Sequence, residues 1–157
     1  MDHYDDFYRQ IAPAPWYGST FISRPYIDFL DKTNAESQFE KLKRLWENKN
    51  LLIVEGATSR SGVGNDLFDQ ALSIKRIVCS SHCAYKDVDA IESTIRKYAD
   101  NHLILIMLGP TAKVLVANLA KDGYQALDIG HIDSEYEWLK MGATTKVKLK
   151  HKHTAEY

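Results

Sequence analysis

The sequence has few cysteines, no excess of one charge and no long apolar run, and each shortage excludes a class of protein. Two cysteines in 157 residues are too few for a disulfide framework and fit a reducing cytoplasm. With 20 basic and 21 acidic residues, no broad positive field attracts nucleic acid. No apolar stretch approaches the ~20 residues that span a bilayer, and the polar start is unlike a signal peptide. We therefore predict a cytoplasmic protein with no nucleic-acid partner and no integral membrane segment.

The apolar residues that are present predict one α/β domain. Four short apolar runs predict strands, at residues 51–54, 76–79, 103–108 and 125–129. Apolar side chains recur at helical spacing in residues 34–48, 88–98 and 112–121. Because helices separate the second, third and fourth strands, the sheet should be parallel with right-handed crossovers. In the basic tail, residues 146–152, Val147 and Leu149 are candidates for an edge strand.

Glycine-rich segments follow the first and third predicted strands, where parallel sheets bind ligands. Residues 55–66 combine three glycines, three hydroxyl side chains and Arg60, which suit a phosphate, although a surface loop with glycine turns would look the same. Residues 109–112, Gly-Pro-Thr-Ala, begin a helix whose exposed N–H groups favour an anion, although simple capping also explains them. Together the two loops predict a shared site for a phosphate-bearing small molecule.

Ionisable side chains are densest after the fourth predicted strand. His131, Asp133, Glu135 and Glu137 lie there with two aromatic residues, which suits proton transfer, metal contact and stacking on a sugar or base. The two glutamates are two positions apart, so on a helix at most one should face the same centre as His131. The alternative is an acidic helix start, in which Asp133 caps and the glutamates favour the positive dipole end.

Other candidates carry weaker signals. Cys79 and Cys83 with His82 lack a second cysteine pair, so a zinc site is a weak hypothesis. His151 and His153 lie among lysines and predict a solvated basic tail, with attraction to an acidic membrane surface as the alternative. Arg24 could contact a phosphate or be structural.

The sequence resembles the GT-D-type glycosyltransferases, first catalogued as a bacterial domain of unknown function. The resemblance runs in order from about residue 16 to the tail. It rests on four blocks, Thr20-Phe21-Ile22-Ser23-Arg24-Pro25-Tyr26; Val54-Glu55-Gly56 with Ser59-Arg60 and Gly62-Val63-Gly64-Asn65-Asp66-Leu67-Phe68; Leu108-Gly109-Pro110-Thr111-Ala112; and Asp128-Ile129-Gly130-His131-Ile132-Asp133 with Glu135-Tyr136-Glu137-Trp138.

The resemblance implies a Rossmann-like fold and transfer of a sugar from a donor such as UDP-glucose, with a divalent metal, manganese, as cofactor. The acceptor would be a glycan or glycoprotein in bacterial surface polysaccharide assembly, reached with inversion at the anomeric carbon. Glu137 is the implied general base, Glu135 is the alternative, and His131 is a third catalytic candidate. The implied donor and cofactor site comprises Ser59, Arg60, Gly62, Asn65, Asp66, Gly109, Thr111 and Asp133.

Two departures from the family pattern bear on activity. The Asp-x-Glu metal motif of the family lies upstream of the Phe-Ile-Ser-Arg-Pro block and is not in this chain, and Ala57 stands where a polar or acidic residue is expected. The metal ligands are therefore unknown, and we expect residues 1–157 to be an incomplete GT-D-like domain. One alternative is a nucleotide-binding remnant that pairs with a partner chain carrying the missing segment. Another is a hydrolase of phosphate esters or nucleosides, which would need no acceptor.

Overall fold

Four parallel strands form one sheet in the order β2-β1-β3-β4. The structure, a computed structural model, describes residues 19–150 and also Asp5, Arg9, Pro13, Pro15 and Lys152. The strands are β1 (Asn50–Gly56), β2 (Ser73–Cys79), β3 (Leu103–Met107) and β4 (Ala126–Asp128). Strand β1 lies between β2 and β3, and all five of its central residues are buried, as expected for an apolar run inside a parallel sheet.

Helices cover both faces of the sheet. One apolar core joins α1 (Ala35–Lys43) and α4 (Ile132–Lys140) to one face, and a second core joins α2 (Val88–Tyr98) and α3 (Pro110–Lys121) to the other. A short 3-10 helix, Ala84–Asp87, precedes α2. The predicted α/β fold with a parallel sheet flanked by helices is therefore confirmed. Within the described residues no helix is both long and apolar enough to cross a bilayer.

The structure corrects three predictions of local structure. Helix α1 ends at Lys43 rather than Asn48, because the chain then forms tight turns that place Trp46 in the core, where its indole N–H donates to the Leu67 carbonyl. Residues 146–150 form no strand, so the edge-strand prediction was wrong; Leu149 instead enters the core against α4. Strand β2 begins at Ser73 rather than at the predicted residue 76, and most of its residues are exposed because it lies at the edge of the sheet.

The strand order creates a crevice at the carboxyl end of the sheet. After β1 the chain passes through residues 57–72 to β2 on one side, whereas β3 pairs on the other side of β1. Chain directions therefore diverge next to the end of β1, and such a switch point is where open α/β sheets bind ligands.

Candidate functional site

A cavity of about 440 Å³ lies at this end of the sheet. The loop after β1, the start of α3 and the start of α4 all contribute to its wall, so the three segments selected from the sequence do share one hollow. Its polar lining includes Thr58, Ser59, Ser61, Ser80, Ser81, Thr111, His131, Asp133 and Ser134. Hydroxyl groups dominate this set, and hydroxyls suit hydrogen bonding to phosphate or sugar oxygens.

Glu55 and Arg76 hold the β1 loop from the sheet side. The buried Glu55 carboxylate accepts the Ser61 backbone N–H at 2.8 Å and forms an ion pair with Arg76. The Arg76 guanidinium also donates to the Ser61 carbonyl at 2.8 Å. Both backbone polar groups of Ser61 are thus fixed by side chains, which orients the cavity wall.

Asp133 holds the same loop from the side of α4. Its Oδ1 accepts the Gly62 N–H at 2.8 Å and the Asn65 side-chain amide at 2.9 Å. Gly62 has φ +73°, and a Cβ there would lie 2.4 Å from the Phe68 ring, so glycine is required by both backbone and packing. Glycine at this position therefore serves the shape of the loop, while its N–H is taken by Asp133.

The structure divides the predicted donor residues into two groups. Ser59, Gly109, Thr111 and Asp133 line the cavity. Four others do not line it. Gly62 and Asn65 donate hydrogen bonds to Asp133. Arg60 is exposed on the neighbouring turn, with φ +50°. Asp66 forms an ion pair with Lys43. The assignment of all eight residues to the donor site stays a prediction. It is better supported for the four that line the cavity than for the four that do not.

Asp66 is part of a charge cluster between α1 and α4. Its carboxylate lies 3.0 Å from the Lys43 ammonium and accepts the Tyr136 hydroxyl at 2.9 Å. Lys43 hydrogen bonds hold the pKa of Asp66 well below its usual range. Lys43 is buried, and its ammonium donates to the Tyr136 hydroxyl. This cluster joins two helices and lies outside the cavity lining.

Glu135 faces away from the other two carboxylates of α4. Only 1% of it is exposed, and its Oε2 accepts the backbone N–H groups of Tyr26 at 3.0 Å and Ile27 at 2.8 Å. Burial raises the pKa of this carboxyl, and the two N–H donors oppose that rise. Its role as an alternative base stays a prediction, but its contacts are those of a structural brace for residues 26 and 27.

Glu137 lies one helical turn after Asp133, on the same side of α4. Its Oε1 accepts the Asn65 amide at 2.7 Å and lies 2.8 Å from the Lys152 ammonium, and 23% of its side chain is exposed. His131 is half-buried and lines the cavity, whereas Glu137 is not in the lining. The sequence argument was that at most one of the two glutamates faces the same centre as His131; neither lines the cavity, and Glu137 is the one on the side of Asp133.

The acidic side chains here do not form a metal centre. Within the described residues, no group of three or more His, Cys, Asp or Glu side chains could hold a metal ion. Asp133 and Glu137 come together, but the ammonium of Lys152 already lies between them. Because a manganese site needs several converging oxygen ligands, these residues do not fit it as placed, and no reaction step is derived through a metal.

The segment after β2 also lines the cavity, and sequence reasoning missed it. Ser80, Ser81, Cys83 and Tyr85 all contribute to the wall. Ser81 contacts the β1 loop, where its hydroxyl accepts the Thr58 N–H at 3.2 Å. The signal was available, because residues 80–85 follow the carboxyl end of a strand as the other loops do.

The weaker sequence candidates have local explanations. Cys79 is half-buried against the core, burial raises the pKa of its thiol, and it forms no metal cluster with Cys83 in the part of the chain that is described. Arg24 lies 3.6 Å from Asp28 in an ion pair, which favours its structural role. His151 and His153 lie outside the described residues.

Comparisons with known proteins agree with this architecture. A family model described as "Glycosyltransferase GT-D fold" matches residues 1–157. The chain is 70% identical to Glycosyltransferase GlyD of Streptococcus pneumoniae serotype 4 and 66% identical to a probable glycosyl transferase, Gly, of Streptococcus gordonii. It also superposes with a TM-score of 0.92 on a solved structure described as a new glycosyltransferase (DUF1792) from Streptococcus sanguinis, at 68% identity.

The matches cover all of this chain but only part of each relative. All 157 residues align to the two curated relatives, of which they span 19% and 23%. For the Streptococcus sanguinis structure, the match covers 98% of this chain and 57% of that one. A second solved structure, described as having a distinct glycosyltransferase fold, shares 66% identity and a TM-score of 0.92, with 55% of that chain covered.

Proposed function

Since the chain belongs to the glycosyltransferase GT-D fold family, we propose that it forms the donor-binding part of a glycosyltransferase. The donor is a nucleotide sugar such as UDP-glucose, and the acceptor is a glycan or glycoprotein in bacterial surface polysaccharide assembly. The observation that carries the proposal is the meeting of the β1 loop, the start of α3 and the start of α4 around one cavity lined by hydroxyl groups. A diphosphate would be bound there by those hydroxyls and by the N-terminus of α3.

The proposed chemistry is transfer with inversion at the anomeric carbon. The acceptor hydroxyl oxygen forms a bond to that carbon as the bond to the donor diphosphate breaks, and the hydroxyl proton passes to a carboxylate. Glu137 is the better candidate base, because it shares the side of α4 with the cavity residue Asp133 and is partly exposed. Glu135 is fully buried on the opposite side and already accepts two backbone N–H groups.

A non-catalytic role is the second candidate. In it the chain binds the nucleotide and pairs with a partner that supplies metal ligands. It is favoured by the absence of a cluster of three metal-binding side chains from the described residues. In either case we propose a cytoplasmic location, peripheral to the inner membrane face, because Lys146, Lys148 and Lys150 are exposed and could approach acidic lipid.

Donor binding and UDP release separate these functions. The chain is incubated with UDP-glucose and Mn²⁺, alone and with a polypeptide matching the uncovered part of the Streptococcus sanguinis relative. Turnover that requires an acceptor supports the transferase, binding without turnover in either mixture supports the non-catalytic role, and release without acceptor indicates a hydrolase. Chelation by EDTA tests the manganese requirement.

The base assignment has a matched pair of variants. Glu137→Gln should lower turnover by about 100-fold or more while donor binding is retained, because the amide cannot take the acceptor proton. Glu135→Gln makes the same chemical change on the other side of α4 and should leave turnover within about twofold. The opposite ranking of the two variants would transfer the base role to Glu135.

A further inference from the structure

Lys152 occupies an unusual environment for a lysine near the end of a basic segment. Its ammonium lies 3.0 Å from Asp133 Oδ2, 3.1 Å from Asp133 Oδ1 and 2.8 Å from Glu137 Oε1. Only 8% of its side chain is exposed, whereas Lys146, Lys148 and Lys150 are exposed. The prediction of a solvated basic tail was therefore wrong for Lys152. A buried ammonium is retained only where carboxylates offset its desolvation, and two do so here.

The chain leading to Lys152 is anchored along α4. The Trp138 indole N–H donates to the Val147 carbonyl at 2.9 Å, and Leu149 is buried in the core that contains Trp138. Residues 146–150 therefore run back beside the helix that carries the two carboxylates. The ion pairs of Lys152 complete this contact.

The two carboxylates that contact Lys152 also contact residues at the cavity wall. Asp133 is itself in the lining and accepts the Gly62 N–H, while Asn65 donates to both Asp133 and Glu137. Gly62 follows Ser61, which is also in the lining. A chain of short contacts thus connects the Lys152 ammonium to the part of the β1 loop that faces the proposed donor.

Electrostatics make the ammonium necessary for this arrangement. Asp133 and Glu137 are one helical turn apart and both approach the same Asn65 amide, so as carboxylates they repel each other. Among the neighbouring charges, Asp66 of the same loop forms ion pairs with Lys43 and Lys140. Asn65 is neutral, and among the described residues the ammonium of Lys152 pairs with both carboxylates.

We propose that Lys152 is a positioning residue of the donor site, which holds Asp133 and Glu137 together and thereby fixes the β1 loop at Gly62 and Asn65. This inference rests on the proposed function, because the loop matters through the donor that it contacts. Lys152 itself is not in the cavity lining. Its effect is to hold both carboxylate groups in one geometry against the β1 loop.

The test compares Lys152→Met, Lys152→Arg and the matched control Lys150→Met, which changes an exposed lysine two positions away. UDP-glucose affinity, KM and kcat are measured, and stability is measured by urea unfolding. Lys152→Met should weaken donor affinity about tenfold, because the two carboxylates then repel each other and no longer hold the β1 loop at Gly62 and Asn65. Lys152→Arg should restore most of the affinity, and Lys150→Met should match the parent.

Amide exchange of Gly62, followed by NMR, gives a readout that needs no donor. Exchange should be faster in Lys152→Met than in the parent and should slow again in Lys152→Arg. Unchanged donor affinity with unchanged Gly62 exchange in Lys152→Met overturns the proposal, as does a loss of affinity that arginine fails to rescue. If the parent binds no UDP-glucose, the proposed function fails, and Gly62 exchange still decides the role of Lys152. If Lys152→Met does not fold, the comparison of Lys152→Arg with the parent decides it.

Discussion

The two sides of helix α4 use carboxylates for different purposes. On one side Glu135 is 1% exposed and braces the backbone of Tyr26 and Ile27. On the other side Asp133 and Glu137 meet the β1 loop and share the ammonium of Lys152. A difference of two positions along a helix therefore separates a buried structural acceptor from charges that lie next to a cavity.

The difference shows what sets the role of an acidic side chain here. Burial makes the charge of Glu135 costly and raises its pKa, although the two neutral N–H donors oppose that rise. Asp133 and Glu137 instead both contact the Lys152 ammonium and accept hydrogen bonds from the Asn65 amide. All three residues are acidic, so their surroundings in the fold, rather than residue type, separate the structural role of Glu135 from the candidate functional roles of Asp133 and Glu137.

The largest effect should come from removing the brace. Glu135→Ala leaves the N–H groups of Tyr26 and Ile27 without their acceptor in a buried place, and we expect a loss of about 3 kcal/mol in the free energy of unfolding. Glu135→Gln keeps an acceptor oxygen and should lose less than about 1 kcal/mol. Urea unfolding of both variants measures this, and equal losses would contradict the brace.

On the other side of α4, the glycine that meets Asp133 should be the most sensitive point of the β1 loop. Gly62→Ala places a methyl group against the Phe68 ring and strains a positive φ, so we expect a loss of about 2 kcal/mol. Gly64→Ala is the matched control, because its φ is +86° but nothing lies within 4 Å of a Cβ there; about 1 kcal/mol is expected. Thermal unfolding compares the two, and a larger loss at Gly64 would sink the packing argument.

Much of this fold was predictable because apolar spacing reports burial directly. Patterns among neighbouring residues predict strands β1 and β3 and the helix over residues 88–98. The position of the site at the strand ends then follows from the parallel sheet. The start of α3 at Pro110 likewise follows from local chemistry. These features needed no knowledge of distant contacts.

The features that local sequence did not predict depend on contacts between distant parts of the chain. Lys43 lies in a polar pattern yet is buried, because Asp66 and Tyr136 reach it from other segments. Lys152 lies in a basic tail, yet only 8% of its side chain is exposed, because two carboxylates of α4 pair with it. Local sequence assigns a lysine to solvent by default, and only the tertiary structure shows which charges are offset.

A smaller effect is expected at Asp66, which the sequence assigned to the donor site and the structure places in the cluster with Lys43. Asp66→Asn removes a counter-ion from the buried Lys43, and a loss of about 1 kcal/mol is expected because Asp66 itself is partly exposed. UDP-glucose affinity should stay within about twofold, as calorimetry can show. Asp69→Asn, at an exposed position nearby, is the control and should change neither quantity. A large loss of affinity with intact stability would return Asp66 to the donor site.

The smallest effect is a pH dependence that separates Glu135 from Asp66. Burial raises the pKa of Glu135 above its ordinary value of 4.5. The unfolded chain therefore releases this proton at lower pH than the folded protein does, so the protein becomes less stable as pH rises from 4.5 to the pKa of the folded state. Lys43 lowers the pKa of Asp66 below 3.8, so its contribution is complete above that value and is lost only as pH falls further. Between pH 4.5 and 7, Asp66 therefore adds no slope.

The variant Glu135→Gln isolates the remaining slope, because glutamine does not titrate. Urea unfolding at several pH values should show the stability of Glu135→Gln rising relative to that of the parent as pH increases above 4.5. Asp66→Asn should instead differ from the parent by a constant amount across that interval. A parent and a Glu135→Gln variant with parallel pH profiles would mean that Glu135 ionises in the fold as easily as in the unfolded chain, and the contrast between the two sides of α4 would then lie in geometry alone.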